Sequence, residues 1–457
     1  MRIAERYRAG DASGLTSVAV RRELHAIMPI AGRSGRGWLA AAMAAAAACA
    51  SGRTPVLAPV PPAPRPTRPA EPERGRRDSA RVERAPIVPA AAPRPAGRTD
   101  SLPTRVLHAP VRICAGGDVT LGTNLDSAWK RVAERRLRTR FRQRDDPASL
   151  AAPLRALMPD ANVLLLNVES AIGAGPAPLK CGAGSTRCFA FRAPPASARA
   201  LRSLLPGGVV VGNVANNHAR DAGSDGRDST IAALARAGVL VTGADSVATA
   251  APLRSGDTLG VLGFYTSDST PDARDTATVR RLVSRAADRY PVVIVTMHLG
   301  AEGREAQRTT DAPERYLGIE RGNPVAFADA AVRGGASLVI GHGPHVLRAV
   351  EWRERGALIA YSLGNLLTYG PFRLREPANR SALLCATLDA TGRVRGAELH
   401  PTVQLTPGVL RRDRRRRALA LVDSLGRLDF PGTAARVRAD GALQPRSARE
   451  ASAGAPR

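Results

Sequence analysis

Nine short apolar runs recur between residues 111 and 401: "VRICAG", "NVLLLNV", "GVVVGNV", "LGVLGFY", "PVVIVTM", "ASLVIG", "ALIAYSLG", "SALLCATLDA" and "RVRGAELHP". Runs of this length, rich in valine, isoleucine and leucine, read as buried strands. Segments with helical patterning lie between them at 126–142, 226–238, 275–289 and 324–334. Strands that alternate with helices dictate an α/β fold built on βαβ crossovers. The last runs have no helix between them, so the sheet is expected to become mixed or antiparallel there.

Polar residues follow these runs in a pattern. Asp118 comes just beyond the first run, and Asn167 and Glu169 beyond the second. Asn216, Asn217 and His218 follow "GVVVGNV", His298 and Glu302 follow "VVIVTM", His342 and His345 follow "LVIG", and Ser362 and Asn365 close "IAYSLGN". Singly, each has an ordinary reading: an aspartate after a strand caps a helix, and a histidine in an apolar run is a hydrogen-bonded core residue. Together they point to a site, because the carboxyl ends of parallel strands share one edge where ligands bind. Four of the seven histidines follow strands in this way. A ligand set of oxygen and nitrogen without a well-placed cysteine suits Zn, Mn or Fe.

The net charge of +27 raises the question of nucleic acid. Much of the excess falls in the two terminal segments, 1–110 and 411–457, and the rest is thinly spread. No helix-turn-helix, zinc-finger or RNP-type signal accompanies it, which argues against nucleic-acid binding. A basic surface suited to an anionic polymer or a membrane remains.

Residues 1–49 read as a leader, with the true start placed at Met28. Arg33 and Arg36 precede an apolar stretch from Trp38 to Ala48, and Cys49 follows. A basic start, a short apolar run and small residues fit a secretory signal, and the run falls short of the roughly 20 residues that span a bilayer. Cys49 is the expected lipidation site. Residues 50–109, rich in proline, alanine and arginine, read as a disordered tether. The globular domain is expected over 110–410 and a basic tail, helical then disordered, over 411–457. Cys114 and Cys385, inside apolar runs, read as buried thiols. Cys181 and Cys188 flank the short loop "CGAGSTRC" and read as a disulfide in an exported protein; no second cysteine pair or histidine cluster nearby favours metal.

The motif blocks resemble the CapA family of capsule and poly-γ-glutamate synthesis proteins, a branch of the calcineurin-like metallophosphoesterases. The blocks are "GGDVTLG", "NVES", "ANNHARDAG", "HLGAEG", "GHGPHVLRAVE" and "YSLGNLL", in the family's order, over about residues 111–405. Leu299 stands where the family has tryptophan, and Gly343 where it has histidine. The resemblance implies a metallophosphoesterase-like αββα sandwich with mixed sheets and the polar rim at its top. It implies one or two divalent ions (Mn, Zn or Fe) held by Asp118, Glu169, Asn217, His298, His342 and His345. His218, Asp221 and Glu302 become the candidate catalytic residues, with Asn167, Asn216, Ser362 and Asn365 in support. The Asp-x-His of metallophosphoesterases is absent, because Val119 and Thr120 follow Asp118.

Three functions follow as expectations. The chain acts in capsule or poly-γ-glutamate-type polymer synthesis or export, alongside membrane proteins of that machinery; or it is a metal-dependent phosphoesterase or related hydrolase; or it is a non-catalytic lipoprotein scaffold. In each case it is expected in the cell envelope, anchored by lipid on the outer side of the cytoplasmic membrane or in the periplasm.

Overall fold

A computed structural model of the chain describes residues 106–122, 127–174, 180–181, 188–267, 271–353 and 356–446. The chain divides into two compact units, 1–95 and 96–457, and every described residue belongs to the second. The leader with Cys49, nearly all of the tether and the end of the tail lie outside the described residues.

The architecture is a mixed α/β sandwich of four layers. One sheet holds ten strands, with Val111–Leu121 near its middle. That strand runs parallel to Val163–Val168 and Asn365–Tyr369, and antiparallel to Arg380–Leu388. The second sheet holds six strands, centred on Thr258–Tyr265, Val293–His298 and Leu338–His342, which run parallel to one another. Side chains along a strand alternate between faces, so one apolar run serves two cores. Val163 and Leu165 face the other sheet, where they join Val261, Ile294 and Ile340. Leu164 and Leu166 join a second core with Leu234 of the helix Gly223–Arg236. On the far side Val293 and Val295 pack with Val279, Val283 and Phe327 of the helices Thr276–Ala287 and Pro324–Arg333. The continuous apolar runs in the sequence are strands covered on both faces.

The expected helices at 126–142, 226–238, 275–289 and 324–334 correspond to Ser127–Arg136 with its extension to Phe141, Gly223–Arg236, Thr276–Ala287 and Pro324–Arg333. Two readings are corrected. Residues beyond 410 continue the fold: the helix Arg417–Asp429 buries Leu419, Val422 and Leu425, and Arg436–Val437 and Ala442–Gln444 add two short strands to the ten-stranded sheet. The dense arginines there hide the apolar spacing that makes this packing. Cys114 and Cys385 are not free thiols. They sit opposite one another on neighbouring antiparallel strands and form a disulfide, 271 residues apart in sequence.

Cys181 and Cys188 form a second disulfide. Peptide mapping of the unreduced protein should therefore recover two linked pairs, 114–385 and 181–188. Two free thiols at either pair would contradict this structure.

Candidate metal centre

Two rungs of neighbouring strands supply most of the rim. In the larger sheet Asp118 stands in register with Asn365 on one side and Asn167 on the other, and Asn167 with Asn213. In the smaller sheet His342 stands in register with His298, and His298 with Tyr265. The register of the strand Val111–Leu121 slips around Asp118. Such a bulge re-aims a side chain, and glycine permits it here: a Cβ on Gly117 would lie 1.8 Å from the Gly364 carbonyl oxygen.

Asp118, Glu169 and His298 are buried, and each offers a ligand atom within 4.8 Å of the other two. Asn167 ties this cluster together. Its Nδ2 donates to Asp118 Oδ1 at 2.8 Å and meets His298 Nδ1 at 3.2 Å. Its Oδ1 accepts from Asn213 Nδ2 at 3.0 Å and Asn216 Nδ2 at 3.1 Å. His342 Nδ1 lies 3.7 Å from Asp118 Oδ1. His345 Nδ1 bonds Asp118 Oδ2 at 2.9 Å and approaches Glu169 Oε2 at 3.7 Å, while its Nε2 is 3.6 Å from Glu302 Oε2. His345 adopts a left-handed backbone with φ of 59°, a conformation that a non-glycine residue keeps only when its surroundings enforce it. Asn365 Nδ2 helps, donating to the His345 carbonyl at 3.1 Å.

Charge around the rim is unevenly shared. Burial raises the Glu169 carboxyl, and the neighbouring Asp118 carboxylate adds to this, so it stands well above its ordinary value. Burial works the same way on Asp118, but the His345 hydrogen bond and charge outweigh it and hold Asp118 below the usual range. Burial pulls the His298 imidazole well down and the His342 imidazole down to about 4. His345 is the exception. Burial opposes its protonation, but Glu169, Asp118 and Glu302 together raise it well above an ordinary histidine.

The residues fit a cation. Glu169 Oε1, His298 Nε2, both ring nitrogens of His342 and Asn217 Oδ1 are buried without a hydrogen-bond partner. Buried polar atoms in a folded protein are rarely left so, and here three of those side chains adjoin the Asp118 carboxylate or the cluster itself. Gly343, which replaces the family's histidine, has φ of 106°, and a Cβ there would press on the His298 ring at 3.3 Å.

The other expected residues have distinct places. His218 Nδ1 bonds Asp221 Oδ2 at 2.6 Å, which leaves Nε2 as the ring atom to meet a ligand. Asp221 also accepts the Lys180 ammonium and the Phe191 backbone N–H, the latter at 2.6 Å. Burial holds His218 below an ordinary histidine despite this partner. Asn216 Oδ1 accepts the His218 N–H at 3.0 Å, which shapes the turn. The Asn217 backbone carbonyl accepts from Lys180 Nζ at 3.0 Å, while its side-chain Oδ1 is buried without a hydrogen-bond partner. Ser362 Oγ accepts the Gly364 N–H at 3.2 Å and serves the turn rather than the centre. Glu302 is held by the buried Arg321, Nη1 to Oε1 at 2.8 Å. Arg321 and Lys180 escape sequence reading, since neither follows an apolar run; Asn213 closes the run "GVVVGNV" in register with Asn167, a position the same pattern marks.

Glu169, His218, Glu302 and His345 face a cleft of about 700 Å³.

The sequence profile described as bacterial capsule synthesis protein PGA_cap matches residues 112–369, a span that takes in all six motif blocks. The PGA biosynthesis protein CapA of Bacillus subtilis (strain 168) is 30% identical over 183 residues, which is 36% of this chain and 44% of that protein. A probable polyglutamine synthesis accessory protein of Mycobacterium tuberculosis (strain ATCC 25618 / H37Rv) is 27% identical over 304 residues, 56% of this chain and 74% of that protein. The match thus spans less than half the length of the Bacillus subtilis relative. Among solved structures, the 5'-nucleotidase precursor from Thermus thermophilus overlaps 70% of this chain and 59% of its own, at 13% identity and a TM-score of 0.32.

Proposed function

Since the chain belongs to the PGA_cap family of bacterial capsule synthesis proteins, we propose that it serves the synthesis or export of an anionic polymer of capsule or poly-γ-glutamate type, using a divalent cation held at its strand-end rim. The family lies within the metallophosphoesterase-like superfamily. The observation that carries this reading is the buried Asp118–Glu169–His298 cluster, whose Glu169 lines an open cleft. His342 and His345 complete the ligand set, in one site or two of unequal affinity, and the mixed oxygen and nitrogen donors suit Mn, Zn or Fe. The excess positive charge favours an acidic polymer. Two disulfides favour an oxidising compartment outside the cytoplasm, where Cys49 would supply a lipid anchor and membrane proteins of capsule synthesis would be the partners.

A second reading is a metal-dependent hydrolase of phosphoesters, favoured by the His218–Asp221 pair on the cleft wall. A bound cation supplies Lewis acidity and a water of lowered pKa. This chain's residues would do the rest: His218 Nε2 meets the developing charge or leaving oxygen, Asp221 fixes its ring, and His345, with Arg321 behind it, holds the Glu302 carboxyl below its usual range against burial.

The full chain, loaded with Mn²⁺, should bind poly-γ-glutamate without cleaving it, and binding should weaken steeply as salt is raised. Absence of binding at low salt would remove the polymer reading. Turnover of a simple phosphodiester by the same preparation, lost in His218→Ala, would promote the hydrolase.

A further inference from the structure

One wall of the cleft is aromatic, and nothing in a linear polyglutamate calls for it. Phe191 is buried at its centre, its ring 4.6 Å from that of His218 and 4.8 Å from that of Phe372. Phe189 stacks on Phe191 with ring centroids 6.4 Å apart and planes only 15° apart, yet Phe189 is 55% exposed. The wall is fixed to the polar side of the cleft, since the Phe191 N–H donates to the same Asp221 carboxylate that orients His218. Glu169, Glu302 and His345 line the same cleft. An apolar aromatic wall facing a few convergent charged groups is the make-up of a small-ligand site, and about 700 Å³ lies within the usual range for one. Exposed aromatic faces bind flat or ring-shaped partners by stacking.

We propose that this wall is a subsite for a ring-bearing anion, a pyranose or nucleobase joined to a phosphate, seated with its ring against Phe189 and Phe372 and its charge toward the cation that the Asp118–Glu169–His298 floor would hold. This rests on the reading of that floor as a cation-holding site for anionic ligands. Phe189 then sets specificity without touching the reacting atoms, and the ligand is a sugar phosphate or nucleotide unit rather than a bare polyamide.

The test is calorimetric titration of the full chain with Mn²⁺ present, using inorganic phosphate, glycerol 3-phosphate, glucose 1-phosphate and adenosine monophosphate. At least one ring-bearing phosphate should bind about tenfold tighter than the ringless pair, a difference of the size that one aromatic contact supplies. Which of the two does so identifies the ring. Phe189→Ala should bring it to the ringless level and leave inorganic phosphate unchanged, while Phe189→Leu, which keeps apolar cover without the ring, should retain only part. Phe189 is exposed, so an unchanged melting temperature verifies the fold of both variants. Equal binding of all four phosphates, or an equal loss for all in Phe189→Ala, overturns the proposal alone. Failure of inorganic phosphate and every ester to bind overturns the floor reading and the proposal with it.

Discussion

Asp118→Ala in the full chain is expected to lower divalent-metal affinity by more than about 100-fold, since even the outer partners of a metal ligand are worth roughly 10–100-fold. Asp118 is the hub of the rim: it meets Asn167, His342 and His345 and lies in the cluster with Glu169 and His298. Asn167→Ala is expected to fall in the smaller range, because it orients Asp118 and His298 without being a ligand. Metal analysis after gel filtration, followed by calorimetry with Mn²⁺ and Zn²⁺, reads both. The pH dependence has a definite sign. Glu169 and His345 stand above their ordinary values and hold protons that a cation must displace. Affinity should therefore rise with pH, level off once those protons are gone, and be accompanied by proton release that differs between buffers. A wild-type protein that takes up no divalent metal, or an Asp118→Ala protein that retains it equally, ends the metal reading.

The sequence shows why this rim was legible. Asp118, Glu169, His298 and His342 each follow an apolar run, and parallel strands carry such positions to one edge whatever their distance along the chain. The Cys114–Cys385 bond was not legible for a related reason. Periodicity finds strands but not their neighbours, and only the antiparallel pairing of an early strand with a late one puts the two sulfurs together. Arg321 lies at the end of the 306–321 segment, where neither periodicity nor motif applies, so its ion pair with Glu302 emerges only from the tertiary fold.

The second large effect is expected at Arg348, the bulkiest of the fully buried side chains. Its guanidinium makes a two-point contact with Glu314, Nη1 to Oε1 at 2.8 Å and Nη2 to Oε2 at 2.7 Å, and its Nε donates to the Ala306 carbonyl at 2.7 Å. Arg348→Met leaves the Glu314 carboxylate nearly buried without its partner, which should cost about 3–5 kcal/mol of stability in a denaturant titration. Replacing both, Arg348→Met with Glu314→Leu, should recover much of that loss, because two apolar side chains carry no desolvation penalty. The double variant should still be defective at the cleft. Glu314 Oε2 also accepts the Ala301 N–H at 2.6 Å, next to Glu302, and apolar residues cannot replace that bond. Recovered stability with weakened ligand binding would place the Arg348–Glu314 pair as the anchor of the Glu302 loop. Full recovery of both would reduce it to a packing element, and no recovery of stability would mean that the carboxylate is held by more than its arginine.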